Sequence, residues 1–131
     1  MNPEEVLKDT FGYTNFRPGQ KQVIDLVLKK QNVLAVMPTG GGKSMCYQIP
    51  ALINSGVTLV ISPLISLMKD QIDNLKQNGI NAAALNSTTP QEEVNPILRQ
   101  AYEGKIKLIY ITPERLAIDY FRYQLNFLDI D

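Results

Sequence analysis

The sequence has 131 residues, of which 44% are hydrophobic, and this is enough for one globular domain with a packed core. Lysine plus arginine and aspartate plus glutamate number 13 each, and the resulting net charge of zero argues against a module that grips nucleic acid through bulk charge alone, without excluding a local basic groove. There is no histidine and Cys46 is the only cysteine, which excludes histidine-dependent catalysis, histidine-containing metal sites and an internal disulfide.

Composition also bears on the compartment. A single cysteine favours a reducing environment. No apolar run approaches the roughly 20 residues of a membrane span, and the N-terminus lacks the basic-then-apolar form of a signal peptide. We therefore expect a cytoplasmic protein with no membrane contact.

The first 30 residues predict two helices. Asn2 and Pro3 are typical of a helix N-cap and first position, acidic residues follow in the first turn, and Gly12 ends the helix. Pro18 can open a second helix, in which apolar residues recur at helical spacing through Lys30.

A short apolar run, residues 32–36, predicts a buried strand, and residues 37–44 follow it with the sequence Met-Pro-Thr-Gly-Gly-Gly-Lys-Ser before a predicted helix. Strand, glycine-rich loop, lysine, hydroxyl and helix is the arrangement of a phosphate-binding loop. Lys43 would reach the β- and γ-phosphates of a nucleotide, and Ser44 would hold Mg²⁺.

The glycines of this loop supply the cradle. Gly40, Gly41 and Gly42 can take backbone angles forbidden to other residues, and their N–H groups would surround phosphate oxygens at the positive end of the helix. One position departs from the consensus, because Met37 stands where the motif has its first glycine. The alternative is an ordinary glycine-rich turn with a solvated lysine, which the flanking strand and helix disfavour.

The rest of the chain alternates helices and strands. The helix after the loop should kink or stop near Ile49 because Pro50 follows. Residues 89–92 have the form of a capping box, and Pro96 leaves the start of the next helix open, either at that box or at Asn95. Strands are predicted at residues 57–61, 80–85 and 107–111. Helices are predicted at residues 64–78 and 116–126, and a further helix between them ends at Gly104.

This alternation predicts an α/β fold, a parallel sheet with helices on both faces. The short polar motifs fall where strands end, at residues 39–44, 62–66, 86–88 and 112–115. Because the carboxyl ends of parallel strands meet at one edge of a sheet, we expect these loops to form the functional surface.

Several motifs in this order resemble the N-terminal part of a RecQ-family DNA helicase. The matching segments cover nearly the whole chain and lie at residues 11–13, 16–20, 37–50, 61–71, 85–88 and 110–116. The resemblance implies a partial RecA-like P-loop NTPase domain over residues 1–131 and an ATP-dependent DNA helicase that moves 3′ to 5′ in DNA repair and recombination. Its partners would be ATP with Mg²⁺ and DNA that is single-stranded or has a single-stranded tail.

The resemblance also implies an adenine site. In RecQ-like enzymes an aromatic ring before the phosphate loop stacks on the base and a glutamine bonds its N6 and N7 edge; here these are Tyr13 and Gln20, with Arg17 beside them. A primary amide offers a donor and an acceptor, which complement that edge. The alternative for Tyr13 is a core aromatic near a helix end. Thr39 would join residues 40–44 in holding the phosphates.

Two further motifs resemble segments that contact the DNA backbone. Ser62 and Ser66 lie in a turn before a helix, where hydroxyl and N–H groups can bind a phosphate, although Pro63 and Ser66 can equally cap that helix. Thr112 and Arg115 belong to the second motif; Arg115 would bind a phosphate or pair with Glu114 or another acid.

The resemblance places an Asp-Glu-Ala-His motif on a further strand shortly after residues 128–131, so we expect a single domain truncated before that motif. Hydrolysis needs that carboxylate pair, and the segment alone would not be competent for it; activity would need the remainder of the helicase chain. The strand at residues 32–36 would lack its neighbours. The resemblance to a DNA-acting enzyme also implies a cytoplasmic location at the bacterial nucleoid.

Two other functions compete with the helicase interpretation. In the first, the chain would be a nucleotide-binding fragment without catalytic activity of its own. In the second, it would belong to a P-loop NTPase of another kind, such as a nucleotide kinase. The second alternative requires an acceptor-binding region, for which the sequence shows no candidate.

Overall fold

A computed structural model describes residues 1–38 and 42–131. The chain divides into two compact units, Met1–Ser55 and Gly56–Asp131. That both belong to a single domain stays a prediction. No helix among the described residues is long and apolar enough to cross a bilayer.

The first unit contains the helices α1 (Pro3–Asp9), α2 (Gln20–Leu28) and α3 (Met45–Ile53). The Asn2 side chain caps α1 by accepting a hydrogen bond from the Glu5 N–H at 2.8 Å, as predicted. α3 packs against both other helices, and its Ile49 joins Val6, Leu7 and Ile24 in a small buried core.

The predicted strand at residues 32–36 is wrong, because this segment forms no strand in the structure. Leu34 and Val36 are 93% and 91% exposed. A strand is stabilised by hydrogen bonds to a neighbouring strand, and the described part of the first unit offers none. The absence of a neighbouring strand, which the sequence led us to expect, is therefore the physical reason that residues 32–36 form no strand.

Of the two outcomes predicted for α3 near Ile49, a kink or a stop, the stop is wrong, since the helix continues through Pro50 to Ile53. Pro50 lies in the second turn, where its missing N–H removes one bond to the Cys46 carbonyl. The helix resumes at once, with the Asn54 N–H donating to the Pro50 carbonyl at 2.8 Å. Burial of Ile49, Pro50 and Ala51 against the other helices offsets that loss.

The second unit is built on a parallel three-stranded sheet of β1 (Thr58–Ile61), β2 (Ala82–Leu85) and β3 (Leu108–Ile111), in the order β1-β3-β2. All of β3 is buried. Outside these strands Ile130 forms a parallel bridge with Val57 at the start of β1. The predicted parallel α/β arrangement is confirmed here.

Four helices accompany this sheet: α4 (Ile65–Gln77), α5 (Gln91–Tyr102), α6 (Pro113–Leu116) and α7 (Asp119–Leu125). Residues of α5 and α7 pack with Ile109 and Ile111 in one hydrophobic cluster. The buried residues of α4 lie outside that cluster, and α4 contacts β2. Alternate residues of a strand face opposite sides, so the sheet has apolar contacts on both faces.

Two predicted helix boundaries differ in this unit. α5 begins at Gln91 with Pro90 as its N-cap, and the predicted capping box does not form. The Thr89 hydroxyl instead donates to the Ala84 carbonyl at 3.0 Å and accepts from the Asn86 N–H at 3.1 Å. The last helix, predicted at residues 116–126, is observed as α7 from Asp119, and the short α6 lies before it, separated by the extended Ile118.

Candidate functional site

A cavity of about 370 Å³ in the first unit collects most of the described residues predicted to bind nucleotide. It is lined by Leu7, Tyr13, Asn15, Arg17, Gln20, Gly42, Ser44 and Met45. The three residues assigned to adenine thus line the same cavity as the described end of the phosphate-binding loop. Thr39, Gly40 and Gly41, also predicted to bind phosphate, lie outside the described residues.

Gln20 links the two halves of this cavity. It is the first residue of α2 and only 3% exposed. Its Oε1 accepts a hydrogen bond from the Arg17 N–H, and its Nε2 donates to the Gly42 carbonyl, both at 2.8 Å. A side chain from the predicted adenine segment therefore holds the end of the phosphate-binding loop.

Gly42 occupies a position that favours glycine. Its φ of +76° is in the left-handed region, and a Cβ built there would lie 2.3 Å from the Gln20 Nε2. A side chain at this position would displace the Gln20 amide or the loop itself. The preference for glycine here comes from close approach as well as from backbone angle.

Lys43 and Ser44 have the chemistry that a magnesium-bound phosphate needs. Lys43 is exposed. Ser44 is the N-cap of α3, and its hydroxyl makes no capping hydrogen bond, so the helix end does not consume it. An ammonium group, a hydroxyl and a tight glycine backbone beside a helix N-terminus fit phosphate and Mg²⁺.

Tyr13 lies at the rim of the cavity and is 55% exposed, so it is not a core aromatic. Its backbone N–H donates to the Leu7 carbonyl at 3.1 Å, just beyond the end of α1. Sequence reasoning did not single out Leu7, Asn15 or Met45 as part of this cavity. For the two apolar residues the only signal was helical periodicity, which indicates a core.

The loops at the carboxyl ends of the strands meet in the second unit, as expected. Ile61, Leu85 and Ile111 are aligned in register, so the residues that follow them lie at one edge of the sheet. Ser62 accepts a hydrogen bond from the Leu64 N–H through its Oγ at 3.2 Å. Ser66 is exposed in the first turn of α4.

Arg115 connects two of these loops. Its Nη2 donates to the Asn86 carbonyl at 2.8 Å, and its guanidinium lies 5.9 Å from the centre of the Phe121 ring. It forms no ion pair with any carboxylate that the structure describes. Thr112, at the end of β3, is only 5% exposed. The four residues predicted to contact DNA therefore differ in exposure, with Ser66 the most accessible.

Asn86 is a residue of this edge that the sequence did not single out. It is 3% exposed, and its Oδ1 accepts hydrogen bonds from both the N–H and the hydroxyl of Thr88. Its carbonyl receives Arg115. An asparagine directly after a strand was the available signal, since this side chain commonly organises a turn.

Comparison with known proteins agrees with this arrangement. The family model described as DEAD/DEAH box helicase matches residues 17–129. The chain belongs to this family. The match includes every described residue that the sequence predicted for the site except Tyr13, which precedes it.

Helicase relatives match most of this chain. It is 55% identical over 121 residues to the ATP-dependent DNA helicase RecQ of Bacillus subtilis, covering 91% of the chain and 20% of the relative. It is 53% identical over 116 residues to the protein of the same name from Haemophilus influenzae, covering 88% and 19%. The chain thus spans about a fifth of the length of these curated relatives.

A solved structure supports the helicase fold. The crystal structure of a hypothetical ATP-dependent RNA helicase from Sulfolobus tokodaii superposes with a TM-score of 0.73 at 25% identity. The alignment covers 95% of this chain and 38% of that one.

Cys46, the third residue past Lys43 in this helicase chain, is buried in α3. Burial raises the pKa of its thiol because desolvation disfavours the thiolate. A neutral buried thiol is a packing residue and takes no part in phosphate chemistry.

Proposed function

We propose that this chain supplies the ATP-binding loop and part of the DNA-contacting surface of a RecQ-type ATP-dependent 3′–5′ DNA helicase acting in DNA repair and recombination. The single observation that carries the proposal is the cavity in which Tyr13, Arg17 and Gln20 meet Gly42 and Ser44. The names of the relatives from Bacillus subtilis and Haemophilus influenzae support the choice of DNA and of RecQ type.

Adenine recognition follows from the hydrogen-bonding capacity of Gln20. A primary amide has two N–H donors and two acceptor lone pairs. The backbone N–H of Arg17 occupies one lone pair of the Gln20 Oε1, and the Gly42 carbonyl accepts one of the two N–H groups of the Gln20 Nε2. One donor and one acceptor are left, and they complement the N6 and N7 edge of adenine. Tyr13, exposed at the rim, stacks on the base.

Lys43 stabilises negative charge on the transferred phosphate, and residues 39–42 are the rest of the predicted phosphate-binding loop. Ser44 would hold Mg²⁺, which would supply positive charge to the phosphates of the bound nucleotide. Ser62, Ser66, Thr112 and Arg115 form the DNA backbone contacts of the second unit. ATP-driven closure on the remainder of the helicase chain would drive stepping along DNA, and the working location would be the cytoplasm, at the nucleoid.

A titration of the full chain with fluorescent ATP and GTP analogues tests the nucleotide site. We expect adenine to be preferred, Gln20→Ala to abolish that preference, and Lys43→Ala to weaken both nucleotides. Lys69→Ala is the matched control, since Lys69 is exposed on α4 and pairs with Asp73. Equal binding of the two analogues by the unchanged chain would contradict the proposal.

A phosphate-release assay on the longer helicase, with and without Lys43→Ala, separates this proposal from its alternative, a fragment that binds nucleotide without catalysis. We expect no release above background from the 131-residue chain and, in the longer helicase, loss of hydrolysis on Lys43→Ala. Membership of the DEAD/DEAH box helicase family leaves the nucleotide-kinase alternative without support.

A further inference from the structure

A groove between α5 and α7 lies apart from the loops at the strand ends and plays no part in the function proposed above. Its volume is about 300 Å³. We call it the aromatic groove; it is lined by Asn95, Leu98, Arg99, Tyr102, Tyr120, Tyr123, Gln124, Phe127 and Leu128.

The aromatic side chains of this groove are exposed. Tyr102, Tyr120, Tyr123 and Phe127 are 72%, 67%, 59% and 62% exposed. Single exposed apolar residues are common, but a contiguous group of large rings usually marks an interaction surface. These rings are not part of the hydrophobic core of this unit, so their grouping on the surface indicates a binding site.

The groove has a defined shape. Gln124 of α7 donates a hydrogen bond through Nε2 to the Asn95 Oδ1 of α5 at 2.9 Å, which ties the two walls together. Tyr123 and Phe127 pack edge to face, with ring centres 5.4 Å apart and an angle of 84°. Fixed rings lose little entropy when a planar ligand stacks on them.

The charge of the groove is positive. Arg99 is the only charged residue in the lining, which contains no carboxylate. Its guanidinium makes no hydrogen bond or ion pair with the residues that the structure describes. Arg122 nearby on α7 differs, because it pairs with Asp119. The ligand that complements the groove therefore carries negative charge together with flat apolar groups.

We propose that the aromatic groove binds a single strand of nucleic acid. Its bases stack on Tyr120 and Tyr123, and Arg99 binds a phosphate of the same strand. Stacking on aromatic rings beside a basic group is how proteins hold single strands without reading their sequence. Exposed tyrosines alone would also suit an interface with a second protein. The guanidinium of Arg99, unpaired among the described residues, favours a negatively charged nucleic acid strand instead. The groove would add a strand contact distinct from the loops at the ends of β1 and β3.

Fluorescence anisotropy of labelled oligo-dT, titrated with the full chain, tests the groove. We expect the double variant Tyr120→Ala, Tyr123→Ala to weaken binding about tenfold or more, since base stacking on one ring is worth roughly that factor. Tyr123→Phe keeps the ring and should bind as the unchanged chain does. Arg99→Ala should lower the slope of log affinity against log salt by about 1, whereas Lys21→Ala, which removes a cation paired on α2, should change binding little.

Two results would overturn the proposal. One is unchanged oligo-dT affinity in the double alanine variant, or no binding by the unchanged chain. The other is a concentration-dependent dimer in sedimentation that the double variant makes monomeric while oligo-dT affinity stays the same, which would make the groove an interface between copies. Circular dichroism checks that the variants fold. ATP-analogue binding should be unchanged in all of them, so failure here is distinguishable from failure of the nucleotide site.

Discussion

Residues 32–36 of the first unit and residues 57–61 of the second are similar short apolar runs, yet only the second contains a strand. β1 pairs with β3 along its whole length, whereas Leu34 and Val36 are almost fully exposed. Strand propensity describes how well a residue fits a pleated, half-buried surface. Without a neighbouring strand that surface does not exist, and the same kind of sequence stays irregular.

The second unit shows what a central partner provides. β3 lies between β1 and β2 and is buried throughout. Two helices bring further apolar residues onto Ile109 and Ile111. The described part of the first unit has only helices around a core of four buried residues. The two units should therefore respond differently to the same kinds of change.

Hydrogen exchange should show the largest difference. We expect the amides of Leu108–Ile111 to exchange at least about a thousandfold more slowly than those of residues 32–36, since opening the centre of a stable sheet costs about 4 kcal/mol or more. Exchange followed by NMR or mass spectrometry measures both segments in one sample. Equal protection would show that residues 32–36 pair with a strand after all.

A pair of alanine substitutions sharpens the same comparison. Ile111→Ala removes a side chain that is 0% exposed and should lower the free energy of unfolding by about 3 kcal/mol. Leu34→Ala removes a side chain that is 93% exposed and should change it by less than about 0.5 kcal/mol. Urea unfolding of both variants gives the two values, and a large loss on Leu34→Ala would indicate a hidden partner.

Signals within a short stretch of sequence predicted the elements well, except where packing with distant residues decided the outcome. The cap at Asn2 and the β-branched run at residues 57–61 carry their information within a few residues. Pro50 was expected to kink or end a helix, and Pro96 left a later helix start open, but both prolines lie inside helices. Packing of the rest of the helix decides whether one lost hydrogen bond is tolerated, and no short window of sequence contains that information.

The candidate site divides in the same way. The phosphate-binding loop was visible as a motif, and the adenine residues came from the family resemblance. The hydrogen bond from Gln20 to Gly42 spans 22 residues and could not be predicted from either segment alone. Phosphate binding by Arg115 stays a prediction, but its expected alternative, an ion pair with an acid, is absent among the described residues. Its partners within the chain are a carbonyl and a ring, both set by how β2, β3 and α7 come together.

Two glycines of the first unit offer a matched test of that long-range contact. Gly42 and Gly12 have nearly equal φ of +76° and +78°, but a Cβ at Gly12 would meet nothing within 4 Å. Alanine at either position should cost about 1–2 kcal/mol of stability through the left-handed backbone. Only Gly42→Ala should also weaken ATP-analogue binding, about fivefold, by breaking a hydrogen bond worth about 1 kcal/mol. Equal loss of nucleotide affinity in both variants would contradict a special role for Gly42.

The smallest effect should come from the start of α1. The Asn2 Oδ1 accepts the Glu5 N–H there, a contact that depends on no strand partner. Asn2→Ala should lower the free energy of unfolding by about 1 kcal/mol, while Asn2→Asp, which keeps the acceptor, should preserve it. Thr89→Ala is the counterpart in the second unit, where the hydroxyl joins Asn86 to Ala84 and caps no helix. If helix content by circular dichroism falls with Asn2→Ala but not with Thr89→Ala, local capping stabilises the first unit while the corresponding motif in the second unit serves the sheet edge.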